Sequence, residues 1–265
     1  MRNKIKEIPA EIFDFEKILD LIKILQDDNS TKEKVIVILG ATSAGKSSLA
    51  LKLAEILQTE IISADSMAVY KNFDIGTAKP TADELKKIPH HLINILDAEE
   101  KFSVMEFVQR AKKIISEINS CGKIPIIAGG TGLYIQALLE GYKFSEDKSK
   151  SCESFFAETG ELLYNSLVIG LTMNRENLYK RIDERTRKMF SEGLVEEVEK
   201  LLKSGVSQNS QAMFGIGYKE VVEHLNGNLT LEETILKVSQ ATRNFAKRQL
   251  TWYRRMSYIK FFAVD

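Results

Sequence analysis

Gly40-Ala41-Thr42-Ser43-Ala44-Gly45-Lys46-Ser47 has the spacing of a phosphate-binding loop, and its two flanks say how the chain folds around it. Upstream, Val35-Ile36-Val37-Ile38-Leu39 is a short, uninterrupted and mostly β-branched apolar run, the pattern of a strand buried on both faces. Downstream, apolar residues at Leu49, Leu53, Ile56 and Leu57 recur at helical spacing. A loop between buried strand and helix is the context in which this motif binds phosphate. Gly40 and Gly45 let the backbone turn with its amides directed inward, and Lys46 can reach an outer phosphate oxygen. The Ser47 hydroxyl can ligate a magnesium ion (Mg2+) on the same phosphates. Residues 40–47 are therefore expected to cradle a pyrophosphate group.

Moving outward, Glu60 to Ser63, Leu92 to Leu96, Ile124 to Ala128 and Leu167 to Leu171 read as further strands, with a helix over Val104 to Ile118. Strands alternating with helices imply an α/β fold of the P-loop NTPase type. Its doubly wound parallel sheet would be flanked by helices, with ligands at the carboxyl ends of the strands. From Asn174 onward the chain reads as almost entirely helical. Four regions follow. Residues 1–31 hold an amphipathic helix, with Ile12, Phe15, Ile18, Leu19, Ile22 and Leu25 on one face, and a polar link. Residues 32–141 form the P-loop core, 142–165 a weakly patterned connection, and 166–265 the rest of the core with its C-terminal helices.

The bulk composition excludes several classes. At 265 residues the chain suits one large domain or a domain with a small appendage. No apolar run approaches a membrane span, and Met1 to Pro9 lacks the apolar segment of a signal peptide, so a cytoplasmic protein is expected. Cys121 and Cys152 have neither metal-ligand nor redox spacing. The net charge of +0 argues against binding nucleic acid through overall charge. The charge is uneven, however: after Glu233 no acid occurs until Asp265, while Lys237, Arg243, Lys247, Arg248, Arg254, Arg255 and Lys260 accumulate. On the last helix, Ile235, Val238, Phe245 and Trp252 read as a packing stripe. Arg243, Lys247 and Arg254 share another face, for phosphates or for solvent.

Three further segments carry chemistry. Asp65 follows a strand directly and projects over the phosphate site, where a carboxylate can act as a magnesium ligand, a cap or a base. Pro89-His90-His91-Leu92 sets two histidines ahead of a strand without other metal ligands, which favours hydrogen bonding over ligation. Ala128-Gly129-Gly130-Thr131-Gly132-Leu133-Tyr134 joins strand to helix and offers backbone amides and a hydroxyl to an anion or a leaving oxygen.

Read in order, these strings resemble the tRNA dimethylallyltransferase (tRNA isopentenyltransferase) family: the loop at 40–47; Ala64-Asp65-Ser66-Met67-Ala68-Val69-Tyr70 with Asp74-Ile75-Gly76-Thr77-Ala78-Lys79-Pro80; Pro89-His90-His91-Leu92; and Gly129-Gly130-Thr131-Gly132-Leu133-Tyr134. The resemblance resumes at Arg181-Ile182-Asp183-Glu184-Arg185, Gly193 to Val198 and Gly215 to Glu220, and ends with Thr242 to Gln249 and Thr251-Trp252. It implies transfer of a dimethylallyl group from dimethylallyl diphosphate to the exocyclic amine of the adenine just 3′ of a tRNA anticodon, by a monomer. The donor's pyrophosphate would sit on Thr42 to Ser47 with magnesium. Asp65 would take the amine proton, Thr131 would bond the bridging oxygen, and Arg185 would stabilise the leaving charge. The resemblance places the adenine and its neighbours at Asp65, Ser66, Met67, Ala68 and Gly132, and a second tRNA-facing stretch at Gly215, Gly217, Tyr218 and Lys219.

The sequence departs from the family at three places. Ala68 stands where Gln is common, and Phe214 stands where a polar residue is usual. Between Gly141 and Asn165 the family's helical insertion domain, which grips the anticodon stem, is missing. That loss is what an adenylate isopentenyltransferase acting on a free nucleotide would show. A P-loop kinase would instead bind ATP and transfer a phosphoryl group, and a non-catalytic RNA-binding remnant would not need Lys46, Ser47, Asp65, Thr131 and Arg185 together.

Overall fold

The structure, a computed structural model, describes residues 8–144 and 153–265. In chain order the elements are β1 (Glu11–Ile12), α1 (Phe15–Asp27), β2 (Lys34–Gly40), α2 (Lys46–Leu57), β3 (Ile61–Ser63), α3 (Ala82–Lys87) and β4 (His90–His91). There follow α4 (Val104–Ser120), β5 (Ile126–Gly129), α5 (Gly132–Leu139), β6 (Tyr142–Lys143), β7 (Glu153–Ser154), α6 (Phe155–Thr159) and β8 (Asn165–Thr172). The chain closes with α7 (Arg175–Ser191), α8 (Leu194–Lys203), a 3-10 turn at Ala212–Phe214, α9 (Tyr218–Leu225), α10 (Leu231–Tyr253) and β9 (Lys260–Ala263).

Among the described residues, seven strands form one sheet in the order β1-β9-β8-β2-β5-β3-β4, and every pairing is parallel. The apolar run of β2 explains the layers. Val35, Val37 and Leu39 enter one core with Phe107, Ile135 and Val198 from the helices of that face. Ile36 and Ile38 point the other way, into a core shared with Ile18 and Ile22 of α1 and Leu49 and Leu53 of α2. A strand covered on both sides can dispense with polar alternation, which is why it read so clearly. All the parallel strands end on one edge, so the loops after β2, β3 and β5 gather there.

Four expectations change. The strand expected over Leu92 to Leu96 is the two-residue β4 at His90–His91, because Leu92 and Asn94 adopt left-handed backbone (φ 62° and 55°) that no strand accommodates. Leu92 and Leu96 are nevertheless buried, as loop residues, and Leu96 bridges to Tyr70. Second, residues 11–26 are not one helix. Ile12 belongs to β1 and is 87% exposed, and α1 starts after Asp14, whose carboxylate accepts from the backbone N–H groups of Glu16 and Lys17. Third, the end of the chain is not helical throughout: β9 inserts between β8 and β1. The N-terminal segment is thereby built into the core instead of standing apart from it. Fourth, the described residues of the connection at 142–165 form the antiparallel pair β6–β7 and the short α6. Phe156 packs edge-on against Tyr258, and Lys32 pairs with Glu161.

Burial of α1 gives a measurable consequence. Ile18→Ala, at a position with no exposure, is expected to cost about 2–5 kcal/mol in denaturant unfolding. Ile24→Ala, 67% exposed on the same helix, should stay within about 0.5 kcal/mol of the wild type. Equal effects would mean that α1 does not pack as described.

Candidate active site

The loop after β2 is shaped by two glycines. A Cβ on Gly40 would lie 2.4 Å from the Leu171 carbonyl oxygen of the neighbouring β8, and Gly45, at φ 95°, is the left-handed residue from which α2 starts. Lys46 and Ser47 occupy the first turn of α2 and line a cavity of about 350 Å³ at the carboxyl edge of the sheet. Asp65 enters it from the loop after β3, and Arg185 from α7, where Leu178 and Ile182 are the buried residues one and two turns earlier. Thr42, Ser63, Thr77, Lys79, Glu84, His90 and Gln249 add polar side chains, and Gly129 and Gly130 add backbone. Ala50, Leu51, Ile61, Ile93 and Phe245 supply apolar surface.

Burial, and then Arg185 beside it, pull the Lys46 ammonium down to about 8 against the opposing pull of Asp65, and its Nζ donates to the Ala41 carbonyl at 2.8 Å. Burial likewise lowers Arg185, again with Asp65 opposing, and its Nη1 lies 3.5 Å from Thr42 Oγ1. Two half-buried cations, Lys46 and Arg185, thus face one carboxylate, Asp65, in the same cavity. Asp65 Oδ1 accepts from the backbone N–H groups of Met67 (2.8 Å) and Ala68 (3.3 Å), which fixes its rotamer. Its Oδ2 accepts no hydrogen bond among the described residues, leaving an oxygen free to act.

The structure brings together most, though not all, of the sequence-predicted residues. Ala41 and Ala44 are buried under the loop, and Ser43 sits at φ 65° with its hydroxyl enclosed and unpaired. Thr131 stands behind Gly130. Its Oγ1 accepts from Ser66 N at 3.1 Å and donates to Ser66 Oγ at 3.4 Å, so the 64–68 and 130–132 segments are bonded directly. Gly132 packs against Trp252, and Gly215 against Met67. Both histidines are hydrogen-bonded, as expected: His90 Nδ1 donates to the Ile88 carbonyl at 2.7 Å, and His91 Nε2 lies 2.6 Å from Glu60 Oε2.

Two assignments shift. Tyr218 is fully buried and donates to Glu197 Oε1 at 2.7 Å, with burial and Glu197 pushing its phenol upward, so it supports its stretch from beneath; Gly217 caps α9, and Lys219 pairs with Glu220. Arg243 does not share a free face with Lys247 and Arg254. Its guanidinium grips Asp183 at 2.5–3.0 Å and stacks over Tyr179. Lys247 and Arg254 line a separate groove of about 900 Å³ with Arg175 and Tyr179.

Sequence reasoning missed the residue that joins the site. Gln249 is 5% exposed; its Oε1 accepts from Thr42 N at 2.8 Å and its Nε2 donates to the Gly130 carbonyl at 2.9 Å. Tyr253, one turn on, donates to the same carbonyl at 2.9 Å. The buried face of α10 is therefore Thr234, Val238, Ser239, Ala246, Gln249 and Tyr253; of the expected stripe, Val238 is buried, Trp252 packs against the core and Phe245 lines the cavity. A polar side chain at helical spacing from buried ones was the available signal.

The parallel sheet, the loop after β2 and the cavity at the carboxyl edge define an α/β protein of P-loop-like architecture. The family model described as IPP transferase matches residues 68–161 and 144–256. The tRNA dimethylallyltransferase of Carboxydothermus hydrogenoformans is 41% identical over 286 residues, covering 87% of this chain and 92% of that protein. That of Bacillus licheniformis is 39% identical over 289 residues, covering 88% and 92%. The chain belongs to the IPP transferase family, that of the tRNA dimethylallyltransferases. Among solved structures, the tRNA isopentenylpyrophosphate transferase of Bacillus halodurans superposes with a TM-score of 0.79 at 36% identity, covering 88% of this chain and 92% of that one. A eukaryotic dimethylallyltransferase acting on tRNA reaches 0.76 at 26% identity, covering 88% and 74%. An alignment of 286 positions on a chain of 265 residues must include positions that the relative has and this chain lacks. The two family segments meet at residues 144–161, where the sequence departs most from the pattern.

An anion binds the charged form of Lys46, so below pH 8 no proton is needed and above it one must be taken up. Pyrophosphate affinity, measured by calorimetry, is expected to fall by up to about tenfold per pH unit above 8 relative to a Lys46→Arg variant, which stays charged. Parallel profiles for the two proteins would show that Lys46 does not meet the anion.

Proposed function

We propose that this enzyme transfers a dimethylallyl group from dimethylallyl diphosphate to the N6 amine of the adenine 3′-adjacent to the anticodon of tRNA, as a cytoplasmic monomer. The observation that carries the reading is the juxtaposition of the diphosphate cradle with the free oxygen of Asp65, in a chain that shares family with tRNA dimethylallyltransferases along most of its length. Among the described residues, no helix is long and apolar enough to cross a membrane.

In this reading the amides of residues 42–47, Lys46 and Arg185 hold the donor's phosphates. Magnesium needs few protein ligands when phosphate oxygens and water supply the rest, and the exposed hydroxyl of Ser47 fits that donor set; bound there, the metal offsets the diphosphate's charge. The adenine amine is a weak nucleophile because its lone pair is delocalised into the ring. As N6 bonds to the first carbon of the dimethylallyl group, the bond from that carbon to the bridging oxygen breaks, and the amine proton passes to Asp65. Pyrophosphate leaves intact. Thr131 donates to the leaving oxygen once its hydroxyl turns from Ser66, and Arg185 stabilises the charge that develops. The adenine must be unstacked to reach this chemistry. Asp65 to Ala68, Gly132, Phe214, Gly215 and Lys219 form the adenine side, with Tyr218 holding the stretch from beneath, while Lys247 and Arg254, with Arg175, meet phosphates of the stem.

Asp65→Asn is expected to lower turnover by about a hundredfold or more with donor affinity preserved. Lost affinity with turnover retained at saturation would make Asp65 a metal ligand instead. Incubation with labelled dimethylallyl diphosphate should modify total tRNA in preference to AMP and release no phosphate from ATP. The reverse preference would assign the chain to the free-nucleotide enzymes. Replacing Lys247 and Arg254 with Glu should weaken every tRNA alike and flatten the slope of log affinity against log salt by about one per lost contact. An unchanged slope would remove the groove from the tRNA interface.

A further inference from the structure

Two distant stretches of the chain converge on one carboxylate of α8. Glu197 Oε2 accepts from the backbone N–H groups of Asp74 (3.0 Å) and Ile75 (2.8 Å), and Oε1 from Gly76 N (3.2 Å) and the Tyr218 hydroxyl (2.7 Å). Successive amides turned onto one anion form a nest, and here the anion is part of the protein. The Tyr218 ring closes the arrangement. It packs on Phe73 at 4.8 Å between centroids, and a Cβ on Gly76 would lie 2.5 Å from it, so only glycine fits there. Immediately beyond the nest, Thr77, Ala78, Lys79 and Pro80 line the cavity. The far end of this wall is fastened by Lys79, whose buried ammonium donates to the Tyr70 carbonyl (2.5 Å), Asn94 Oδ1 (2.6 Å) and Asp74 Oδ1 (2.8 Å).

We infer that Glu197 is a positioning residue for the donor: it fixes residues 74–80 as the wall that, with Leu51 and Ile61, encloses the hydrocarbon part of the diphosphate ester. Glu197 does not line the cavity, and it acts through the loop it gathers. None of its hydrogen bonds reaches residues 40–47, so its effect separates from phosphate binding. The inference rests on the donor being dimethylallyl diphosphate.

The test measures affinity for inorganic pyrophosphate and for dimethylallyl diphosphate on the full chain, with steady-state kinetics in parallel. Glu197→Gln keeps the shape but loses the charge and one acceptor. It should weaken dimethylallyl diphosphate roughly tenfold, the order expected for a lost hydrogen bond to a charged group. Pyrophosphate affinity and turnover at saturating donor should hold. Tyr218→Phe, which removes one of the four bonds and leaves the packing, should shift the donor the same way by less. Equal weakening of both ligands, or a lower melting temperature with both affinities intact, overturns the inference. A wild type that binds pyrophosphate and not the ester overturns the functional reading and the inference with it. A wild type that binds both, with the two variants unchanged, overturns the inference alone.

Discussion

The side chain of Gln249 is the tie on which the site depends. Phosphate loop and Gly-rich loop come from different strands, β2 and β5, and backbone pairing within the sheet stops where the loops begin. Beyond that point a single buried amide donates to one loop and accepts from the other, while Tyr253 reinforces it. An amide can do both at once, which neither a carboxylate nor an ammonium can. Because α10 carries it, the geometry of the two loops is set by how a 23-residue helix packs across the sheet edge. Lys46 and Arg185 can then be held close together and desolvated, in a state whose repulsion a bound anion relieves.

Much of this was legible in the sequence because the informative signals are local. The run at 35–39 alternates between two apolar cores, and a strand buried on both faces announces itself by composition alone. The loop at 40–47 and Asp65 lie directly after strand ends, so their place at the carboxyl edge follows from parallel topology. What escaped notice depends on long-range pairing. The four-residue β9 and two-residue β1 are too short for a periodic signal and exist only as neighbours in the sheet. Arg243 read as a free cation because Asp183, its partner, lies sixty positions away on α7. Leu92 read as strand because buried loop and buried strand have the same composition; only the left-handed backbone at 92 and 94 distinguishes them.

The reduced connection changes how the molecule can hold a large substrate without touching its chemistry. Between β6 and β8 the described chain packs onto the body through Phe156 on Tyr258 and Glu161 on Lys32, and Tyr258 also donates to the Glu140 carboxylate at the end of α5. These contacts fasten the described part of the connection in place. Every group assigned to bond making and breaking lies on the other side of that splice, on β2, β3, β5 and α7 or the loops they lead into.

The insertion of β9 between β8 and β1 has a consequence for assembly. Ile12 leaves the ribosome early, yet its partner in the sheet is Ala263, and no nearer strand offers it hydrogen bonds. The β2-β8 and β2-β5 pairings can form while synthesis continues; the β1 edge has to wait for nearly the whole chain. Closing so distant a pair carries a large loop-entropy cost and is intrinsically slow. The apolar face of α1 would spend that interval on α2, β2 and β8 while the strand before it stays unpaired, so closing this edge of the sheet is a late step of folding.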